Sequence, residues 1–297
     1  KKHADVGDNI ELHKPWIDEV ILHCEKCNSK MERTPEVIDC WFDSGAMPFA
    51  QHHYPFENKD NFDELFPADF ISEGIDQTRG WFYSLIAISG FLKKQSPYRN
   101  VLVGELVLDK DGQKMSKSKG NSIDPFKMLD KYGADTVRWY LLTSTSVWLP
   151  TKFDEEGLKA TKRKYFDTLV NTYRFFVLYA NIDKFGPDSE RIPLENRPYM
   201  DRWLLARMNS IVVEVTSYMD KYDITKAMNS LSTFLAEDVS NWYVRLNRRR
   251  FWKEGDDNDK FSAYCTPQEI MIAISHLMAP VAPFLSDLLY RELTGEE

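Results

Sequence analysis

The segment DGQKMSKSKGN at 111–121 places three lysines within six residues, with serines between them and a glycine on either side. Gly112 and Gly120 leave the backbone free at both ends, and the two small serine hydroxyls can donate hydrogen bonds, so the segment could close over an anion. Mobile ammonium groups suit a reaction that releases a polyphosphate, because they can move closer as negative charge develops. A solvated basic turn is the ordinary alternative for a run of lysines.

The elements around this segment predict an α/β fold. Up to about residue 145, short β-rich runs alternate with helical patterns: ADFISEG at 68–74 precedes an amphipathic helix, and NVLVGELVL at 100–108 follows it. Such alternation indicates a βαβ unit with a parallel sheet. The lysine segment comes directly after the last run, so it should lie near the carboxyl edge of the sheet, where α/β proteins bind ligands. The apolar positions on the helix face are Trp81, Leu85, Ile88 and Leu92.

The chain after about residue 155 is predicted to be all-helical, because strand patterns stop and apolar residues recur at helical spacing. Two polar, proline-bearing stretches, 186–198 and 253–267, are predicted to connect the helices. The first apolar stripe consists of Phe166, Leu169, Tyr173, Phe176 and Ala180, and the second of Leu231, Leu235, Val239, Trp242 and Leu246.

Composition narrows the class of protein. With 297 residues and 43% hydrophobic content, the chain can bury a substantial core. Its longest nearly apolar run, at 80–92, is shorter than the roughly 20 residues of a membrane-spanning helix, and the N-terminus lacks the apolar stretch of a secretory signal. We therefore expect no membrane partner and a cytoplasmic location. The net charge of −8 means that any nucleic-acid surface must be a local patch.

Residues 114–118 are identical to the KMSKS signature of class I aminoacyl-tRNA synthetases. Two other stretches resemble isoleucyl enzymes: DCWFDSG at 39–45 is similar to their DVWFDSG, and SEGIDQTRGWF at 72–82 is similar to their EGSDQHRGWF. In the helical half, 201–212 and 237–252 look like the opening of the anticodon-binding domain. The sequence therefore resembles isoleucyl-tRNA synthetases over essentially its whole length.

The resemblance implies a fold class and a division of the chain. Residues 1–45 would leave the editing insertion and re-enter the catalytic domain. Residues 46–150 would form the C-terminal half of a Rossmann-like, parallel-sheet catalytic domain, and residues 151–297 a helical linker and a truncated anticodon-binding bundle. The other signature of the class, a HIGH-like HxGH, is not present at any of the six histidines. We therefore expect a fragment of a longer ligase that forms no adenylate alone.

The resemblance also implies roles for individual residues. Lys117 would contact ATP and stabilise the transition state in which the amino-acid carboxylate attacks the α-phosphorus, with Lys114 in support and Mg²⁺ as the phosphate counterion. Trp41 and Trp81 would wall an aliphatic side-chain pocket, whereas core packing is the ordinary role of a tryptophan. The residues implied to bind ATP or the adenylate are Glu73, Gly74, Asp76, Gln77, Met115, Ser116 and Ser118.

The implied reaction joins isoleucine to tRNA(Ile) through an aminoacyl-adenylate made from ATP. The choice of isoleucine rests on CWFDSG at 40–45, where valyl enzymes typically carry TWFSS, and on the PEVID stretch at 35–39. A valyl-tRNA synthetase fragment is one alternative. A non-catalytic, synthetase-like module that binds RNA or protein is another, and its signature letters would then be relics.

Cys24 and Cys27 have the two-residue spacing of a zinc knuckle. A closed zinc site needs four ligands, so this pair supplies half a site. Zn²⁺ would therefore require further ligands from the full-length parent.

Arg245, Arg248 and Arg249 crowd one helix end among aromatic residues. Such a cluster could neutralise phosphates along a tRNA stem. The alternative is that arginines are favoured at a helix C-terminus and pair with Glu237 or Asp238, which lie one or two helical turns earlier.

Overall fold

The computed structural model of the chain describes residues 11, 13–36, 39–255 and 257–296. These residues form two compact units. The first unit contains the described part of 1–71 together with 76–101, and the second contains 72–75 together with 102–296. The predicted PEVID stretch lies partly outside the described residues, because residues 37 and 38 are not among them.

In chain order, the described elements up to residue 104 are β1 (Leu22–His23), β2 (Lys30–Met31), α1 (Cys40–Ala50), α2 (Phe62–Leu65), β3 (Ala68–Gly74), α3 (Trp81–Lys93) and β4 (Tyr98–Gly104), with 3₁₀ turns at Trp16–Glu19 and Ile75–Arg79. Strands β3 and β4 pair with each other. The Asn100 amide donates to the Asp69 carbonyl, and the Ser72 hydroxyl donates to the Leu102 carbonyl. The bonded residues are 31 and 30 positions apart in the sequence. Because this offset stays nearly constant, the two strands run parallel, as the βαβ pattern predicts.

Helices α1 and α3 pack closely in the first unit. The Asp39 carboxylate accepts the Trp41 N–H at 2.7 Å and caps the start of α1. Gly45 lies buried at the contact, where a Cβ atom would come within 2.7 Å of the Ser84 carbonyl carbon. Only a glycine permits this approach of the two helices. The buried aromatic rings of the unit are Phe49, Phe62, Phe66 and Phe82.

Two sequence predictions in this half need correction. Leu85 is buried on α3 as predicted, but Leu92 is 55% exposed, because it lies in the last turn of a helix that ends at Lys93. The run NVLVGELVL is not one strand. The Glu105 N–H donates to the Val147 carbonyl at 3.0 Å and so leaves the ladder after Gly104.

The elements that follow are β5 (Val107–Leu108), α4 (Pro125–Tyr132), α5 (Ala134–Thr143), β6 (Thr151–Lys152), α6 (Glu155–Thr161), α7 (Thr168–Ile182), α8 (Tyr199–Met219), α9 (Ile224–Thr233), α10 (Arg245–Trp252), α11 (Asn258–Met278) and α12 (Pro283–Thr294), with 3₁₀ turns at Lys117–Lys119 and Leu194–Asn196 and π-helical segments at Lys162–Asp167 and Phe234–Val244. Strands β5 and β6 pair in parallel, with Val107 opposite Thr151. Aspartate side chains cap α4, α6, α9 and α11; they are Asp124, Asp154, Asp223 and Asp257.

Helices α7 to α12 surround one apolar core, as the helical prediction requires. Its completely buried side chains include Leu169, Leu204, Leu231, Leu235, Ile270, Met271 and Ile274. Burying one such side chain contributes about 1.5–3 kcal/mol to stability. The first predicted stripe is confirmed, since Phe166, Leu169, Phe176 and Ala180 are buried and Tyr173 packs against the core.

The second predicted stripe is wrong in its last turns. Leu231, Leu235 and Val239 are buried, but Trp242 is 52% exposed and Leu246 is 58% exposed. The helix is π-helical from Phe234 to Val244. A π-helix bonds residue i to i+5 and so has more residues in each turn than the α-helix whose period the prediction used. The buried face therefore shifts along the chain, and the core positions that follow are Tyr243, Asn247 and Phe251.

The predicted connector at 253–267 is also wrong over most of its length, because α11 begins at Asn258. The Asp257 carboxylate accepts the Lys260 N–H at 2.9 Å and starts the helix. Pro267 lies inside α11, where it removes one backbone donor. Complete burial of its neighbours Cys265 and Ile270 holds the segment helical despite that loss.

Helix α5 clamps the turn between α11 and α12. The Arg138 guanidinium donates to the Val281 carbonyl at 2.9 Å. On the same helix, the Asp135 carboxylate accepts the Leu285 N–H at 2.7 Å, at the start of α12. Both ends of the turn are therefore fixed to α5. Among the residues described, no helix combines the length and apolar character needed to cross a membrane.

Candidate active site

The lysine segment begins directly after β5 and is a compact turn. Lys114 forms an antiparallel bridge with Leu108, which closes the chain on itself. The Ser116 hydroxyl accepts the Lys119 N–H at 3.3 Å and caps the 3₁₀ turn Lys117–Lys119. Gly120 ends this turn with φ +68°, a value that favours glycine.

The cationic side chains of this segment face solvent. Lys114, Lys117 and Lys119 are exposed, and none of them forms an ion pair with any residue in the described ranges. Ser118 is exposed, while Met115 and Ser116 are half-buried. Three ammonium groups without a carboxylate partner produce a local positive potential on an acidic chain, which attracts a polyanion.

Two further residues at the ends of the segment organise it, and the motif search missed both. The Asp109 carboxylate accepts the backbone N–H groups of Asp111, at 3.0 Å, and Gln113, at 2.7 Å. The hydrogen bonds from Gln113 and Asn121 lower the pKa of the Asp109 carboxyl. Asn121 donates to Asp109 at 2.7 Å and accepts the Ser116 N–H at 2.9 Å. The signal available in the sequence was an aspartate three residues before Gly112 and an asparagine directly after Gly120, both typical of turns.

Glu73 and Gly74 end β3 and belong to the same unit as the lysine segment. Glu73 is exposed and Gly74 is half-buried. The Glu73 carbonyl oxygen lies 3.9 Å from the position that a Cβ atom would take on Gly104, the last residue of β4. The carboxyl ends of these parallel strands therefore lie side by side, at the kind of edge where α/β proteins bind nucleotides.

The remaining predicted site residues gather in the first unit. Gln77 accepts the Trp81 N–H at 3.0 Å and donates to the Asp76 carboxylate at 3.0 Å. A Cβ atom on Gly80 would come within 2.8 Å of both the Gln77 amide oxygen and the Trp41 ring. Trp41 is 45% exposed, so core packing does not account for it. The Trp41 ring and the Gln77 amide thus meet at Gly80, while the Trp81 indole N–H donates to the Ser44 carbonyl at 3.1 Å. An exposed indole beside an amide is a suitable setting for an apolar ligand with a polar end.

Cys24 and Cys27 lie in the turn between β1 and β2. The Asn28 N–H donates to the Cys24 carbonyl at 2.8 Å, and the Cys24 N–H donates to the Ser29 carbonyl at 3.0 Å. The Ser29 hydroxyl lies 3.1 Å from the Cys27 sulfur and lowers the pKa of that thiol. Across the described ranges, no group of three or more His, Cys, Asp or Glu side chains could hold a metal ion. The two thiols fit half of a zinc site, and the zinc prediction stays a prediction.

Arg245, Arg248 and Arg249 lie on α10 and are exposed. None of the three forms an ion pair within the part of the chain that the structure describes. The predicted pairing with Glu237 or Asp238 is wrong, since Asp238 binds Arg207 at 3.1 Å, although Arg249 does lie in the last turn of α10. These three arginines thus carry charge that no carboxylate in the described ranges neutralises.

Comparison with known proteins identifies the family. The pattern of the tRNA synthetases of class I (I, L, M and V) matches residues 1–153, and the pattern of the anticodon-binding domain of tRNA ligases matches residues 201–297. The chain belongs to the class I tRNA synthetases. This membership confirms the predicted family and the predicted order of an α/β catalytic segment followed by a helical anticodon-binding region.

Relatives in bacteria are named isoleucine–tRNA ligases. The ligase of Clostridium tetani is 51% identical over 293 residues, which cover 99% of this chain and 28% of the relative. The ligase of Porphyromonas gingivalis is 49% identical over 290 residues, which cover 97% of this chain and 25% of the relative. The chain therefore spans about a quarter of the length of these synthetases.

Solved synthetase structures have the same fold. The ternary complex LeuRS–tRNA–LeuAMS of Agrobacterium radiobacter K84 superposes with a TM-score of 0.68 at 21% identity, covering 95% of this chain and 34% of that one. Methionyl-tRNA synthetase of Mycobacterium tuberculosis in complex with methionyl-adenylate gives a TM-score of 0.70 at 19% identity, covering 93% of this chain and 56% of that one.

Proposed function

We propose that the chain is the part of an isoleucine–tRNA ligase that carries the second class I signature and the start of the anticodon-binding domain. The observation that carries this proposal is the lysine segment, because Lys114 and Lys117 are exposed and have no ion pair within the described ranges. The sequence identity of 51% to the isoleucine–tRNA ligase of Clostridium tetani, over 99% of the chain, supports isoleucine as the amino acid.

The proposed reaction uses these lysines when the adenylate forms. A carboxylate oxygen of isoleucine attacks the α-phosphorus of ATP, the bond from that phosphorus to the bridging oxygen breaks, and pyrophosphate leaves. Lys117 and Lys114 would hold the departing phosphates, where negative charge accumulates. Mg²⁺ would be the counterion of the same phosphates. The aminoacyl group then passes from the adenylate to the tRNA, and AMP leaves.

The proposed amino-acid pocket consists of Trp41 and Trp81. Their indole faces suit an aliphatic side chain, and Gln77 and Asp76 would hydrogen-bond the polar groups of the bound aminoacyl-adenylate. Glu73 and Gly74, in the second unit, are likewise proposed as residues that bind ATP or the adenylate. In this proposal the chain alone forms no adenylate, because none of its histidines forms an HxGH signature.

Isoleucine-dependent ATP–pyrophosphate exchange by the full-length protein tests this function. We expect Lys117→Ala to slow exchange by about 100- to 1,000-fold, as removal of a transition-state donor does elsewhere. Lys127→Ala is the matched control, since Lys127 is an exposed lysine on α4 outside the site. Exchange unaffected by Lys117→Ala would favour a non-catalytic module, and a higher kcat/KM for valine than for isoleucine would favour a valyl enzyme.

We further propose that α10 contacts tRNA. Arg245, Arg248 and Arg249 are exposed without an ion pair in the described ranges, and Trp242 and Trp252 beside them are 52% and 55% exposed. Arginines neutralise phosphates, and exposed indoles can stack on bases or sugars.

The salt dependence of tRNA binding tests this contact. Each phosphate contact adds nearly one to the slope of log affinity against log salt concentration, so Arg248→Gln should reduce that slope by about 1. Lys221→Gln, at an exposed lysine between α8 and α9, serves as the control and should leave the slope unchanged. Equal slopes for the two variants would contradict the contact.

A further inference from the structure

The Asn121 side chain, at the end of the lysine segment, forms three hydrogen bonds. Its side-chain oxygen accepts the Ser116 N–H at 2.9 Å. Its side-chain nitrogen donates to the Asp109 carboxylate at 2.7 Å and to the Lys114 carbonyl at 3.3 Å. One amide thus uses its acceptor and both donors to join the start, the middle and the end of the segment.

Asp109 occupies the opposite end. One of its carboxylate oxygens accepts the backbone N–H groups of Asp111 and Gln113, and the other accepts Asn121. Its own backbone N–H donates to the Gln113 carbonyl at 2.9 Å, which closes the turn that contains Gly112, at φ +83°. The two oxygens therefore have separate tasks: one orders the turn before the lysines, and the other holds the residue after them.

We propose that Asp109 and Asn121 form a clasp that fixes the backbone of residues 114–117 and so presents Lys114 and Lys117 to the phosphates of ATP. Both are positioning residues, since they act through the lysines. The inference rests on the proposed ligase function. It adds an organising pair that the KMSKS letters do not contain.

The clasp is needed to order the backbone of the lysine segment, because no ion pair of the lysine side chains does so in the described ranges. The lysine side chains have no ion pair there, and the segment has glycines at both ends. An unconstrained loop of this kind would lose conformational entropy each time that ATP ordered it. A clasp formed in advance reduces that loss, so its removal should weaken the use of ATP while the use of isoleucine stays unchanged.

An exchange of the two side chains tests the clasp in the full-length protein. Asn121→Asp keeps the acceptor for Ser116 but replaces the donor to Asp109 with a second carboxylate. Asp109→Asn brings two amides together and loses the charge. In the double variant, the amide introduced at position 109 can accept the turn N–H groups through its oxygen and donate through its nitrogen to the carboxylate introduced at position 121. The central hydrogen bond then returns with its direction reversed.

Steady-state ATP–pyrophosphate exchange gives the first result. Each single variant should lower kcat/KM for ATP by about 10- to 100-fold, the size expected for a charge-assisted hydrogen bond, with KM for isoleucine unchanged. The double variant should recover part of the loss, because the bond between positions 109 and 121 returns while the donation to the Lys114 carbonyl does not. Ser122→Ala, at an exposed neighbour, should resemble the wild type. Loss of the clasp should appear as a higher KM for ATP, whereas a general folding defect would lower the apparent kcat and leave KM for both substrates unchanged. A double variant no better than the singles would overturn the clasp.

Trypsin cleavage after Lys114, Lys117 and Lys119 gives a second result that needs no activity. The single variants should be cleaved in this segment faster than the wild type, and the double variant should return toward the wild-type rate. Equal cleavage rates in all four proteins would overturn the clasp even in an active ligase. Wild-type protein without isoleucine-dependent exchange would instead overturn the proposed function, and the cleavage rates would still judge the clasp.

Discussion

Arg250 donates hydrogen bonds to both carboxylate oxygens of Asp201, at 2.7 and 2.8 Å. Asp201 is completely buried, and the hydroxyls of Tyr243 and Ser262 also donate to it. Burial opposes the charge of Arg250, yet the hydrogen bonds and negative charge of Asp201 raise the Arg250 pKa above its ordinary value. This arginine is therefore mostly buried, at 14% exposure, although the arginines before it on α10 face solvent.

Asp201→Ala should strongly destabilise the helical unit. It would leave the Arg250 guanidinium without its main counter-charge, and breaking a buried ion pair in this way costs about 3–5 kcal/mol. Urea denaturation followed by circular dichroism measures the loss. The control is Asp287→Ala, which removes an exposed partner 3.7 Å from Arg291 and should cost at most about 1 kcal/mol. Similar denaturation midpoints for the two variants would contradict this account of the core.

Stability should fall in acid through Asp183. Burial alone would raise the pKa of its carboxyl, but hydrogen bonds from Lys260 and Tyr264 lower that pKa below its ordinary value of 3.8. Because the folded-state pKa is depressed, the stabilisation is complete above the unfolded pKa and is lost as pH falls through the folded one. Asp183→Asn should therefore destabilise the protein at pH 7, and its deficit should shrink as the pH falls below 3.8.

Unfolding free energies measured between pH 7 and pH 3 check this expectation. Asp188→Asn, at an exposed carboxylate in the following connector, should run parallel to the wild type over the whole range. A deficit for Asp183→Asn that stays constant with pH would show that the charge of this carboxylate does not stabilise the fold.

Replacement of two helical glycines by alanine should change the stability of the protein in opposite directions. A Cβ atom on Gly45 would lie 2.7 Å from the Ser84 backbone, so Gly45→Ala should cost about 1–3 kcal/mol through overpacking. A Cβ atom on Gly90, in α3, would have no heavy atom within 4 Å, so Gly90→Ala should stabilise by about 0.5–1 kcal/mol. Thermal unfolding of both variants gives the comparison. A stabilising Gly45→Ala would mean that α1 and α3 do not approach so closely.

Two adjacent aromatic residues in the π-helical segment should lose very different amounts of stability when each is replaced by alanine. Tyr243 is completely buried and binds Asp201, so Tyr243→Ala should cost about 3–5 kcal/mol, as truncation of a core aromatic residue does. Trp242 is 52% exposed, so Trp242→Ala should change stability by no more than about 0.5 kcal/mol. Denaturation midpoints test the order. A larger loss of stability for Trp242→Ala than for Tyr243→Ala would support the α-helical stripe that the sequence predicts.

The sequence was sufficient for the order of the elements and for the family. The alternation of β-rich runs and amphipathic helices predicted the parallel pairing of β3 with β4, because strands and helices can each be recognised by the spacing of their apolar residues. The stripe on α7 was correct for the same reason. Periodicity failed where a π-helical segment changed the number of residues in each turn, as at Trp242 and Leu246.

The sequence supplied the candidate site residues as predictions, but it did not supply the hydrogen bonds that connect them. KMSKS identified the lysines, but their presentation depends on Asp109 and Asn121, which stand outside the signature and resemble ordinary turn residues. The state of the arginine cluster was equally hidden. Spacing left pairing with Glu237 or Asp238 open, whereas in the structure the Asp238 carboxylate pairs with Arg207 on α8.

Arg138 and Asp135 lie in the part that matches the class I synthetases, and they bind the turn between α11 and α12 in the part that matches the anticodon-binding domain. Side-chain hydrogen bonds therefore join these two segments in addition to the polypeptide backbone. Covalent continuity through the connector at 186–198 is therefore not what keeps the two segments associated. A protease that nicks this connector should yield two polypeptides on a denaturing gel that still elute from a sizing column as one particle.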